Sequence, residues 1–202
     1  YGGFAGFGRT TASLINAVLL FVPLIGLTAG AGTIAPERER GTLTYLLAQP
    51  VTRAEVIFGK YLGAALAMCV ALGLGFGLAG GALAVRGGAN VQTYLELVGL
   101  SILLALAALS LGMLISAVSK RAAMASGATL VVWIVLVFLG DLAIMGAALA
   151  AHFNVQTLLG LTLLNPLQVF KLAAISGLQS SLETLGPAGL YAARSLGAWL
   201  TP

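Results

Sequence analysis

The sequence predicts an all-α integral membrane protein, a polytopic bundle of membrane-crossing helices, and three observations carry that expectation. Hydrophobic residues make up 59% of the chain and charged residues only 8%, with a mean hydropathy of +1.04. A soluble domain runs at about 45–50% apolar and about 25% charged. Four apolar runs are each long enough to cross a bilayer, whose hydrocarbon core of about 30 Å takes roughly 20 residues. Glycine supplies 27 of the 202 residues, as expected where transmembrane helices approach one another closely. The formal charge of +4 would suggest nucleic acid in a soluble chain. Here the Lys and Arg residues mark loop ends, so no nucleic-acid partner is expected. The single cysteine, Cys69, excludes an intrachain disulfide framework.

The expected elements follow in chain order. The first span covers residues 13–35 and carries Pro23 in its middle, which should kink it. A charged island follows. Further spans are expected over residues 56–85, 94–118 and 122–151, of which the first is long enough to start outside the bilayer and tilt through it. Residues 152–186 mix apolar and polar positions without a clean span, and another apolar run opens near Pro187. The chain begins at Tyr1 without a Met and stops as an apolar stretch is opening, so it is expected to be part of a longer membrane protein.

Short loops orient the spans. The loop over residues 37–60 and the hairpin Ser119-Lys120-Arg121 hold Arg38, Arg40, Arg53, Lys60, Lys120 and Arg121, while Arg9, Arg86, Lys171 and Arg194 are spread over the opposite side. The excess of Lys and Arg in short loops marks the cytoplasmic face. Residues 152–186 are then on the outer face, the periplasm of a bacterial inner membrane.

The charged island is the most informative stretch. Six of the sixteen charged side chains, Glu37 to Arg40, Arg53 and Glu55, lie within nineteen residues. Thr42 can cap a short helix in which Leu43, Leu46 and Leu47 share one face. Gln49-Pro50 breaks that helix, because the residue before a proline is pushed out of the helical region. Thr52-Arg53-Ala54-Glu55 fits a capping box, so a new helix starts there and enters the membrane. The pattern describes a short amphipathic helix on the membrane surface, hinged at Pro50 to a transmembrane helix. It fits a coupling device that a soluble partner pushes, with a plain lipid anchor as the alternative.

At these residues the chain resembles a known family. Glu37-Arg38-Glu39-Arg40-Gly41-Thr42-Leu43, followed by Leu46-Leu47, Gln49-Pro50-Val51, Arg53 and Gly59-Lys60, resembles the signature of ABC-2-type permease subunits. There an E-x-E-x-G-T-L segment leads through L-L-x-x-P to a G-K at the start of the next membrane helix. Leu164-Asn165-Pro166-Leu167-Gln168-Val169-Phe170-Lys171-Leu172 is similar to the N-P-x-x-x-[FY]-[RK] segment of the NosY-like permeases. Those are membrane subunits of the ABC transporter that serves maturation of copper-containing nitrous-oxide reductase. Leu185-Gly186-Pro187-Ala188-Gly189-Leu190-Tyr191 and Gly197-Ala198-Trp199 also look like that subgroup.

The resemblance implies six membrane helices in the parent, one before Tyr1 and one after Pro202. It implies a homodimer that grips two cytoplasmic ATPase subunits, with ATP and Mg held on those subunits and no cofactor on this chain. The ATPase interface would comprise Glu37, Arg38, Glu39, Gly41, Thr42, Leu43, Leu46, Gln49, Pro50 and Arg53, with Glu37 and Glu39 pairing with basic residues of the ATPase. A periplasmic accessory protein, β-helical in the NosY-like case, would meet residues 152–186 through Asn165, Pro166, Phe170 and Lys171. The family pattern names no substrate.

Other motifs read more simply. Gly75-x-Gly77-x-x-Gly80 satisfies a dinucleotide fingerprint but lies in mid-membrane with no strand before it. Gly73-x-x-x-Gly77 and Gly77-x-x-x-Gly81 instead make a smooth stripe for helix packing, within the subunit or between two copies. No G-x-x-x-x-G-K-[ST] occurs in the sequence, so ATP is expected on another chain and this one is expected to be non-catalytic. An enzyme acting on lipids would need an acid pair, a Ser–His constellation or metal-ligand spacing; a passive scaffold would need no moving hinge. Met68 and Cys69 point about 100° apart on a helix, and Met113, Met124, Met145 and His152 are isolated, so no metal site is expected. Asp141 lies about 28 Å along its helix from Ala122, near the outer interface. It is placed either to cap or pair with Arg86 or Lys171, or to serve a substrate.

Overall fold

The computed structural model describes residues 3–85, 91–149, 160, 163 and 165–183. Among these it contains seven helices: α1 Gly3–Ala31, α2 Ala35–Glu39, α3 Thr42–Leu47, α4 Arg53–Val85, α5 Val91–Val118, α6 Ala122–Leu149 and α7 Pro166–Glu183. The stretches Ser13–Glu39, Arg53–Ala82 and Tyr94–Val118 are long and apolar enough to cross a membrane. Helix α6 has 28 residues, about 42 Å at 1.5 Å per residue, with its described apolar stretch over Ala122–Phe138.

The first helix differs from the expected 13–35. It starts earlier and stops at Ala31, where Gly32 and Thr33 turn back onto Thr28 O and Gly30 O at 3.1 Å each. Pro36 then opens α2 from inside its first turn, where a missing N–H does least harm. Helix α1 runs on through Pro23. Proline leaves a gap in the ladder, and at the adjacent Leu20 carbonyl the indole of Trp133 donates across from α6 at 3.2 Å.

Helices α1 and α5 run parallel and form the centre. Gly26 lies against Ala105, Ala108 and Leu109; one turn on, Gly30 lies against Leu109, Gly112 and Met113; Gly112 itself meets the Leu27 backbone. A Cβ at Gly26 would stand 2.8 Å from the Ala108 Cβ, and at Gly30 or Gly112 it would overlap main chain. Small residues are what allow such an approach. Helices α4 and α6 run antiparallel to this pair. Tyr61 Oη donates to Leu106 O at 3.4 Å and Tyr94 Oη donates to Phe76 O, joining α4 to α5. Ala125 is buried with Ala31 and Ala35, joining α6 to the end of α1.

Helix α7 packs into the bundle away from α2. Leu167, Phe170 and Ala174 are buried among Ile15, Val18, Leu97 and Leu104, from the middle of α1 and the first half of α5. Two buried hydroxyls are satisfied within their own helices: Ser101 and Thr129 donate to Leu97 O at 2.6 Å and Ala125 O at 2.7 Å. Only 17% of the apolar window of α4 is buried, and Phe58, Leu62, Leu66, Val70, Leu74 and Leu78 stand exposed along one ridge. In water such a ridge would be an association site. Against lipid tails it carries no such drive.

Candidate functional site

The charged loop is built from two helical pieces of different standing. Its first piece, α2, has no cap of its own: Ile34 occupies the N-cap position without a side-chain bond. The orphan amides of Ile34 and Ala35 donate instead to Ser116 Oγ of α5, at 3.1 and 2.8 Å. The same hydroxyl donates to Ala31 O at 2.6 Å. Ser116 is fully buried, so water cannot stand in for it.

Gly41 separates α2 from α3. Its φ of 76° is left-handed, a conformation that costs a side-chain-bearing residue about 1–2 kcal/mol. The expected cap, Thr42, is already the first residue of α3. Gly41 takes the N-cap position, and the Thr42 hydroxyl donates back to Glu37 O at 3.2 Å. Helix α3 ends as the Ala48 and Gln49 amides close on Thr44 O and Leu46 O, at 3.1 and 3.3 Å, just before Pro50. The capping box of α4 forms in both directions: Thr52 N donates to Glu55 Oε2 at 2.8 Å, and Glu55 N to Thr52 Oγ1 at 3.3 Å.

The charges of α2 are engaged inside the chain. Glu37 forms an ion pair with Lys60 of α4, and Lys60 also donates to Thr33 O at 3.3 Å. Arg38 Nη1 donates to Ser119 O at 2.7 Å, and Glu39 Oε2 accepts from Ala122 N at 2.8 Å. These bonds place the two basic loops at the same end of the bundle. Within the chain, Glu37 and Glu39 hold α2 to α4 and to the start of α6. Lys60 and Ser119 complete the brace from positions 23 and 81 residues away.

Helix α3 is the presented piece. Leu43 and Leu46 are half-buried, whereas Thr42, Thr44, Gln49, Pro50 and Arg53 are exposed. Tyr45 is 81% exposed, more than any other large hydrophobic side chain described. Tyr45 sits on the face those leucines do not use, and its signal in the sequence is an aromatic ring in the middle of a six-residue helix.

In the outer segment, Phe170 is only 3% exposed, because it fills the core between α1 and α5. Asn165 Nδ2 donates to Leu136 O at 2.8 Å, and its Oδ1 accepts from Leu167 N at 3.0 Å. Asn165 therefore fastens α6 and caps α7, with Pro166 as the first helical residue. Lys171 is half-buried, while Val169 and Leu172 are exposed. Gly73, Gly77 and Gly81 touch nothing that a Cβ would reach within 4 Å, so packing within the described part of the subunit does not use that stripe. The side chain of Asp141, together with Arg86 and His152, lies outside the described residues.

Residues 7–200 match the family described as ABC-2 family transporter protein. The chain is similar to "Probable ABC transporter permease protein NosY" of Pseudomonas aeruginosa, 31% identical over 186 residues, which is 89% of this chain and 68% of that protein. It is similar as well to the protein of the same name in Stutzerimonas stutzeri, 31% identical over 197 residues, 94% of this chain and 71% of that one. The helical bundle, its membrane-length apolar helices and these matches agree: the chain is a multi-pass membrane protein that belongs to the ABC-2 family of transporter permeases.

Proposed function

We propose that this chain is the transmembrane subunit of an ATP-driven ABC transporter in a bacterial inner membrane, and that α3 is the element its cytoplasmic ATPase subunit grips. Two copies would carry two ATPase subunits, with ATP and Mg bound there and not on this chain. The observation that carries the reading is the contrast between α2, braced to α4, α5 and α6, and α3, which stands out beyond it with Tyr45 exposed. An anchored base and a projecting aromatic are what a docking helix needs, because aromatic side chains dominate binding where they enter a partner's pocket.

The similarity to NosY permeases extends the proposal. The complex would act in maturation of a copper enzyme, nitrous-oxide reductase, passing ATPase motion across the membrane to a periplasmic accessory protein. Of the outer helix α7, the exposed Val169 and Leu172 are the side chains offered to that partner.

The docking reading is tested with Tyr45→Ala in the permease assembled with its ATPase. The substitution should weaken ATPase binding by about 2 kcal/mol, roughly thirtyfold, while membrane insertion is unchanged. Unchanged affinity in a normally inserted variant would leave α3 as a lipid-surface anchor and reopen the scaffold and enzyme readings.

A further inference from the structure

We infer that α2 and the α5–α6 turn form one mechanical unit pinned by Ser116, so that motion reaching α2 passes straight across the bundle into α5 and α6 as well as along the chain into α1. The inference rests on the reading of α3 as the docking element, and it assigns Ser116 the role of a positioning residue.

Three connections converge on the same short helix. Ser116 Oγ accepts both leading amides of α2 and donates to the last carbonyl of α1, which makes it a cap supplied from 81 and 82 residues away. Arg38 reaches the carbonyl of Ser119, just past the end of α5, and Glu39 receives the first amide of α6. Ala35 is buried in one cluster with Ala31 and Ala125. Helix α2 is thus tied at its start, its middle and its end to one turn of chain more than eighty residues on. On its other side it is joined to α3 through Gly41, whose neighbourhood is open, with nothing within 4 Å of where a Cβ would be, and by the Thr42 hydroxyl on Glu37 O. The soft joint is therefore at Gly41, and the stiff one is at Ser116. A buried hydroxyl suits the stiff joint because removing it strands two amides and a carbonyl where water cannot reach them.

The test uses the assembled permease–ATPase complex with Cys69 replaced by Ser. Spin labels at the exposed positions Arg40 and Lys120 report whether α2 and the α5–α6 turn separate. Their distance should be the same in the nucleotide-free and nucleotide-trapped complexes. Ser116→Ala should make the two distances differ and lower permease stimulation of ATP hydrolysis about fivefold or more without changing ATPase affinity, while Ser116→Thr keeps the wild-type behaviour. A staple through Ala35→Cys and Ala125→Cys, which lie in one buried cluster and leave Ser116 intact, keeps the question answerable if Ser116→Ala does not fold: oxidised, it should preserve stimulation. A label distance that changes with nucleotide in the unsubstituted protein would overturn the inference, as would a staple that abolishes stimulation until it is reduced. Failure of the docking reading shows separately, as an unchanged affinity in Tyr45→Ala, since the label distance does not depend on which surface the ATPase holds.

Discussion

Glu37, Arg38 and Glu39 form one charged run in the sequence and three separate fastenings in the fold. Glu39 places a carboxylate on the first amide of α6, where it satisfies an orphan donor and meets the positive end of the helix dipole. Being exposed, such a contact contributes about 1 kcal/mol or less, so its value lies in position more than in strength. None of this was legible in the sequence, because Lys60 is 23 residues from Glu37 and the groups that meet Arg38 and Glu39 are a backbone carbonyl and an amide 81 and 83 residues away. The capping box at Thr52 was legible because its rule is local: four consecutive residues carry both hydrogen bonds. Thr52→Ala should cost the first turn of α4 about 1 kcal/mol, seen as roughly fivefold faster amide exchange over residues 53–56. Adding Glu55→Ala to it should produce less than the sum of the two single effects, since the two side chains act as one device. Unchanged exchange in Thr52→Ala would show that the box does not hold that turn.

At the scale of the helices, the apolar runs were readable by length and their faces were not. Gly73, Gly77 and Gly81 make an evident small-residue stripe, yet the contact that organises the bundle uses Gly26 and Gly30 of α1 against Ala108 and Gly112 of α5. Both α1 and α5 carry the same small-x-x-x-small spacing as α4. The pattern states that a close approach is possible; only the tertiary arrangement decides which stripe finds a partner. A paired prediction separates them. Gly112→Ala forces its new methyl into the backbone of Leu27 and should destabilise the bundle by about 1–3 kcal/mol, measured as a lower unfolding temperature in detergent. Gly77→Ala, with open space around it, should be neutral or slightly stabilising through helix propensity. Equal stability of the two variants would contradict the α1–α5 packing. The break between α1 and α2 was similarly hidden. Residues 13–35 read as one span because Gly32 is tolerated inside membrane helices, and the hydroxyl that holds the corner open comes from α5.

The whole molecule is polarised along the bundle axis. At one end α2 is braced by α4, α5 and α6 and carries α3 outward; away from it, α7 packs Leu167, Phe170 and Ala174 against the middle of α1 and the first half of α5. Sequence reasoning placed the two basic loops on one side by charge, and the bonds of Arg38 and Glu39 to the α5–α6 turn put them together. The N-P-x-x-x-[FY]-[RK] pattern singles out Phe170 but does not say which way its ring faces; in the fold the ring is buried with residues of α1 and α5. The central claim is that α3 is the surface on which an ATPase acts, and a cysteine at the exposed Thr44 tests it most directly. In the full-length permease purified with its ATPase, with Cys69 replaced, that cysteine should crosslink to the ATPase with a yield that changes when ATP is added. A well-folded complex that gives no crosslink from Thr44 would contradict the account.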